Sequence, residues 1–188
     1  MRSDAVRRVA VCAAVGAAVL AGCGTTTDGS AGPTTTVRDL DKIEVFNPCR
    51  GALSDDALRG AGLDPATKRI TTDPPTGVST WRVCSWQPLD DRYGSGRRSV
   101  GVYSTSHTLD EARAKESLTD IREVRVNSRP GLIYRDKAVP DSCYAAFEAE
   151  QGMFNVDVVW TSSEGRRVGD LCDMAAKYAE ALEPNLPK

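Results

Sequence analysis

Ser142–Thr161, SCYAAFEAEQGMFNVDVVWT, is the stretch that decides the fold. Its runs Ser142–Glu150 and Met153–Thr161 alternate, and Gln151-Gly152 between them suits a two-residue hairpin loop. With that loop, Ala149 faces Phe154, Phe147 faces Val156, Ala145 faces Val158 and Cys143 faces Trp160, and every pair is apolar. The other face pairs Glu150 with Met153, Glu148 with Asn155, Ala146 with Asp157 and Tyr144 with Val159. Turn chemistry and alternation together predict a half-buried antiparallel hairpin with Cys143 on its core face.

What surrounds the hairpin supplies a sheet and its cover. Lys68–Thr72, Thr80–Gln87, Ser99–Thr105, Ile121–Asn127 and Gly131–Arg135 read as further strands. Ser54 is an N-cap for a short helix, SDDALRGAG, that ends at Gly60 or Gly62. Thr108-Leu109-Asp110-Glu111 is a capping box opening a second helix through about Leu118. Gly169-Asp170 precedes a last helix, LCDMAAKYAEAL, in which Leu171, Met174, Ala175, Tyr178 and Leu182 share one face. The class is therefore α+β: an antiparallel sheet with helices packed on one face.

The cysteines brace it. Cys49, Cys84, Cys143 and Cys172 form an even set in a domain that reads as exported, which points to two disulfides. A zinc site would need close pairs such as C-x2-C, and these cysteines are all widely spaced. Four cysteines allow three pairings. Cys172 opens the helix that should cover the core face of the hairpin, which selects Cys143–Cys172 and leaves Cys49–Cys84.

The beginning of the chain gives an address. Arg2, Arg7 and Arg8 precede the uncharged run Val9–Ala21, VAVCAAVGAAVLA. That run is short of the roughly 20 residues a membrane-spanning helix needs, and it fits the apolar region of a secretory signal peptide. Leu20-Ala21-Gly22-Cys23 then resembles the lipobox of bacterial lipoproteins. The resemblance implies a signal peptide of residues 1–22, a diacylglyceryl thioether on Cys23, and anchoring through that lipid at the extracytoplasmic face of the cell membrane. Residues 23–42, including GTTTDGSAGPTTT, form a spacer too poor in apolar groups to fold, with a reach of roughly 23 Å. Its threonines beside Pro33 suit O-glycosylation, and an unmodified spacer reads equally well. Residues 43–188 are left as one domain. Losing Arg2, Arg7, Arg8 and Asp4 from the 24 basic and 26 acidic residues leaves 21 and 25, a net of −4. A mildly acidic domain without a basic stripe gives no support to nucleic-acid binding.

Four motifs carry a family resemblance. Phe46-Asn47-Pro48-Cys49, Cys84-Ser85-Trp86, Gly169-Asp170-Leu171-Cys172-Asp173 and the ending Glu183-Pro184-Asn185-Leu186-Pro187 resemble the actinobacterial lipoproteins grouped as domain of unknown function 3558. The likeness spans about residues 43–187. It implies an exported, lipid-anchored, disulfide-bearing domain and carries over no catalytic residue. A looser similarity is to the extracytoplasmic sensor domains of some actinobacterial receptor kinases, which also use two disulfides.

No motif names a reaction or a cofactor. The one histidine, His107, stands just before a helix cap and reads as an exposed loop residue, with a general base as the rival reading. No G-x-S-x-G or S-x-x-K surrounds a serine. Asp90–Gly96, DDRYGSG, lacks both the calcium-loop and the phosphate-loop patterns and reads as a hairpin loop. Trp81, Trp86 and Trp160 could line a pocket, but aromatics beside disulfides belong to a core. The expectation is a non-enzymatic module that binds a small molecule, a glycan or a protein. A cell-wall hydrolase or transferase with an unrecognised site is the alternative, and a purely structural role is a third.

Overall fold

The computed structural model describes residues 38–51, 53–73, 80–91, 98–161 and 169–188. The expected signal peptide, Cys23 and the expected spacer as far as residue 37 lie outside the described residues, as do residues 92–96 of the Asp90–Gly96 loop.

Each helix starts at the cap the sequence carries. The Ser54 hydroxyl accepts from the Ala57 amide at 3.1 Å and opens α1 (Asp55–Gly60). Thr108 and Glu111 close both halves of the capping box of α2 (Leu109–Ala114). The Asp170 carboxylate accepts from the Cys172 and Asp173 amides, at 2.7 and 3.1 Å, and opens α3 (Leu171–Leu182). The second helix stops at Ala114, short of the expected Leu118. Leu118 is instead the buried first residue of a strand, so tertiary packing overrides a helical pattern that has no breaker in it.

Among the described residues seven strands follow the expected order: β1 (Leu63–Thr72), β2 (Trp81–Pro88), β3 (Arg98–Thr105), β4 (Leu118–Val126), β5 (Arg129–Asp136), β6 (Val139–Ala149) and β7 (Gly152–Trp160). They form one antiparallel sheet in the order β1-β2-β3-β7-β6-β5-β4. It is two meanders, β1 to β3 and β4 to β7, joined where β3 pairs with β7 from Arg98↔Trp160 to Thr105↔Met153.

The β6–β7 hairpin forms, with its register moved by two residues. Ala149 faces Gly152, Phe147 faces Phe154, Ala145 faces Val156 and Cys143 faces Val158, so the loop is Glu150-Gln151. A shift of two leaves every side chain on its predicted face. The cause is Gly152. A Cβ there would sit 2.5 Å from the carbonyl oxygens of both Thr105 and His107. The glycine is needed where β7 passes under the end of β3, not inside the turn.

One face of the sheet holds the main core. Ala145, Phe147, Phe154, Val156 and Val158 pack with Leu171, Ala175, Ala179 and Leu182 of α3 and Leu58 of α1. Both predicted disulfides lie here: Cys49–Cys84, with Cα atoms 5.4 Å apart, and Cys143–Cys172, at 5.0 Å. These bonds use all four cysteines and exclude the zinc reading. Trp86 and Trp160 are core residues, as read from the sequence. Below the core, buried Arg129 pairs with buried Glu183 at 2.6 Å and donates to the carbonyls of Leu186 and Pro187, fixing the chain end.

The α+β class, the antiparallel sheet and the two braces are as expected. The other face differs from its expectation: it is not solvated. Met153, Asn155 and Asp157 are all buried. Here α2 covers the sheet, and Leu109 and Ala112 pack with Leu118, Leu132, Tyr134, Ala146 and Met153. Thus α1 and α3 share one face while α2 occupies the opposite one.

Candidate functional site

Strand alternation brings five polar or aromatic side chains together beneath α2. Register places Gly101, Asp157, Tyr144 and Tyr134 in one row across β3, β7, β6 and β5. The next row holds Tyr103, Asn155, Ala146 and Leu132. The side chains of both rows leave the sheet on the α2 side. With Trp81 from β2 and α2 as a roof, Tyr103, Tyr134, Tyr144 and Asn155 of these rows line a half-open cavity of about 320 Å³. Its wall includes Trp81, Tyr103, Tyr134, Tyr144, His107 and Glu111.

The rings are locked against one another. Tyr134 and Tyr144 stack at 5.2 Å, and Tyr103 meets Tyr144 edge-on at 6.1 Å and Trp81 edge-on at 6.3 Å. Two phenols donate into the floor: Tyr103 Oη to Asp157 Oδ2 at 3.0 Å, and Tyr134 Oη to Asn155 Oδ1 at 2.8 Å. Asp157 Oδ1 also accepts from the Gly101 amide at 2.8 Å. Only glycine permits this seat, because a Cβ at 101 would come within 2.4 Å of Asp157 Oδ1.

Burial pushes the Asp157 carboxyl up to about 6, against the pull of Tyr103 and the Gly101 amide. Burial likewise raises the phenols of Tyr103, Tyr134 and Tyr144, with Asp157 adding to each, so all three stay protonated. At the rim, His107 Nδ1 lies 2.8 Å from Glu111 Oε2, which also accepts from the Thr108 amide at 3.0 Å. Partial burial opposes the Glu111 charge, but the Thr108 amide and His107 outweigh it and hold the carboxyl below its usual range. Lys115 and Asp136 complete the wall, Nζ to Oδ2 at 3.7 Å.

His107 is a loop residue, as expected from its sequence position, but it is only partly exposed. Its ring is centred 5.5 Å from that of Trp81, on the cavity wall. Trp81 lines the cavity too, separately from the other two tryptophans. The disulfide residues Cys49, Cys84, Cys143 and Cys172 belong to the core on the opposite face. The N-P-C motif is a brace: Asn47 Oδ1 accepts from the Cys49 amide at 2.8 Å, and its Nδ2 donates to Asp73 at 2.9 Å. Asp73 also pairs with Arg50 and Arg82. Sequence reading missed Tyr103, Tyr134, Tyr144, Asn155 and Asp157. The one available signal was an aspartate flanked by valines in a central strand, opposite a glycine on its neighbour.

A family model described as "Protein of unknown function (DUF3558)" matches residues 18–185. No curated protein and no solved structure matches the chain.

Proposed function

Since the chain belongs to the DUF3558 family of proteins of unknown function, we propose that it is an exported, lipid-anchored envelope protein whose domain binds a small molecule beneath α2. The observation that carries this reading is the cavity: about 320 Å³, roofed by a short helix and walled by Trp81, Tyr103, Tyr134 and Tyr144. Small-molecule sites are concave, with apolar and aromatic side chains and a limited set of polar groups, here His107, Glu111, Lys115, Asp136 and Asn155, and this one lies at the lower end of their size range. Leu20-Ala21-Gly22-Cys23 behind a short apolar run supports the anchor, and two disulfides suit an oxidising compartment.

Binding is tested by thermal shift with a panel of small aromatic, aliphatic and charged molecules, on wild type and on Ala112→Trp, which fills the roof. At least one chemical class stabilises wild type and not the filled variant. If every shift persists in Ala112→Trp, the cavity is not the site. Anchoring is tested with Cys23→Ala. Wild type carries an acyl mass and partitions into detergent, and the variant does neither; an unacylated wild type sinks the lipoprotein reading.

The second reading, a cell-wall hydrolase or transferase, takes its support from the His107–Glu111 pair at the cavity wall. A carboxylate orienting a histidine is one part of a general base. His107→Ala discriminates: retained ligand binding with loss of a turnover found in wild type favours the enzyme.

A further inference from the structure

We infer that the cavity beneath α2 takes an organic cation, a methylated or quaternary ammonium group held against Trp81, Tyr103 and Tyr144. The inference rests on the proposal that this cavity is the binding site and names the chemistry of its occupant.

Three features point the same way. Aromatic faces attract cations through their quadrupoles, most strongly when the site excludes water. The phenols strengthen this, because the O–H groups of Tyr103 and Tyr134 are spent on Asp157 and Asn155. Those hydroxyls point into the floor, and a phenol donating to a carboxylate gains ring electron density. The third feature is the charge. Glu111 and Asp136 stand in the wall with Lys115 and with His107, which contacts Glu111, and Asp157 lies behind Tyr103. At neutral pH the Asp157 carboxyl, raised only to about 6, is mostly ionised. With the neutral imidazole of His107, three carboxylates against one ammonium leave this half-open cavity with excess negative charge close to electron-rich rings.

Methylation of the cation follows from the polar inventory. A primary ammonium would bring three N–H donors to a wall whose carboxylates are already engaged, Glu111 by His107 and the Thr108 amide and Asp136 by Lys115, and unmade hydrogen bonds there are costly. A trimethylammonium group needs no acceptor and presents methyl groups to the rings.

Isothermal titration of the folded domain with choline, tetramethylammonium and the neutral carbon isostere of choline tests this. In the isostere a tert-butyl group replaces trimethylammonium, so shape is kept and charge is lost. Choline binds about tenfold or more tighter than the isostere, and Trp81→Leu removes most of that preference. Equal affinities overturn the cation and leave the small-molecule site standing. No binding of either ammonium at millimolar concentration, while other panel members still bind and Ala112→Trp abolishes them, has the same meaning. Choline binding that survives Ala112→Trp places the cation elsewhere and also overturns the inference.

Discussion

Asp157 is the residue on which the candidate site turns. It is a carboxylate in the middle of a sheet, seated by the missing side chain of Gly101 and by the phenol of Tyr103. Burial raises its pKa from the ordinary 3.8 to about 6, so the folded protein holds this proton more tightly than the unfolded chain does. The stabilisation from the protonated form is complete below the unfolded value and is lost as pH rises through about 6. The size is about 3 kcal/mol, at 1.36 kcal/mol per tenfold change in proton affinity. Asp157→Asn cannot titrate there. Urea unfolding of both proteins should therefore show the stability of wild type relative to the variant falling by about 2.4 kcal/mol between about pH 4 and about pH 7, most of that total. Taking the difference removes the opposite slope of carboxyls held low in the folded state, such as Asp73, Glu111 and Glu183. A difference independent of pH would contradict a buried, titrating Asp157.

At the scale of elements, the roof of the cavity is its least self-sufficient part. A helix of 6 residues cannot hold itself in water; α2 depends on its capping box and on packing Leu109 and Ala112 against the sheet. Thr108→Ala removes one half of the box at a cost of about 1 kcal/mol. Hydrogen exchange should show it locally: the Ala112 amide, bonded to the Thr108 carbonyl at 3.1 Å, loses protection roughly fivefold while β7 amides are unchanged. Loss spread evenly over the sheet would mean that α2 and the sheet open as one unit.

Elements also show what could be read from the chain. Caps were legible because Ser54, Thr108 and Asp170 act on neighbours within three residues. Faces of the hairpin were legible because alternation has a period of two. Its register was not, since a slip of two preserves every face and the contact that forbids it, Gly152 against the Thr105 and His107 carbonyls, spans distant segments. The same holds for the cavity. Its side chains come from six strands, one helix and the loop before it, and along any single strand they do not announce a site. Nothing local announces that α2 crosses to that side.

Across the whole molecule, covalent bracing adds to packing of the core. The closed loops of the two disulfides, with separations of 35 and 29 residues, enter the chain-entropy argument only logarithmically, so each contributes about 3–4 kcal/mol. Replacing Cys143 and Cys172 together by Ala should lower the unfolding free energy by that amount in urea, and Cys49→Ala with Cys84→Ala should do nearly the same. A loss below about 1 kcal/mol for either pair would show that its reduced chain is already restricted. The positions of these bonds matter as much as their strength. Cys49–Cys84 lies wholly within the part of the chain that builds the β1 to β3 meander, and Cys143–Cys172 wholly within the part that follows it. Among the described residues no disulfide crosses the β3–β7 line, so only the chain between β3 and β4 and non-covalent contacts hold the two halves together there. Two such molecules, opened along that line and straightened between β3 and β4, present complementary unpaired edges to each other, the arrangement from which exchanged dimers are assembled.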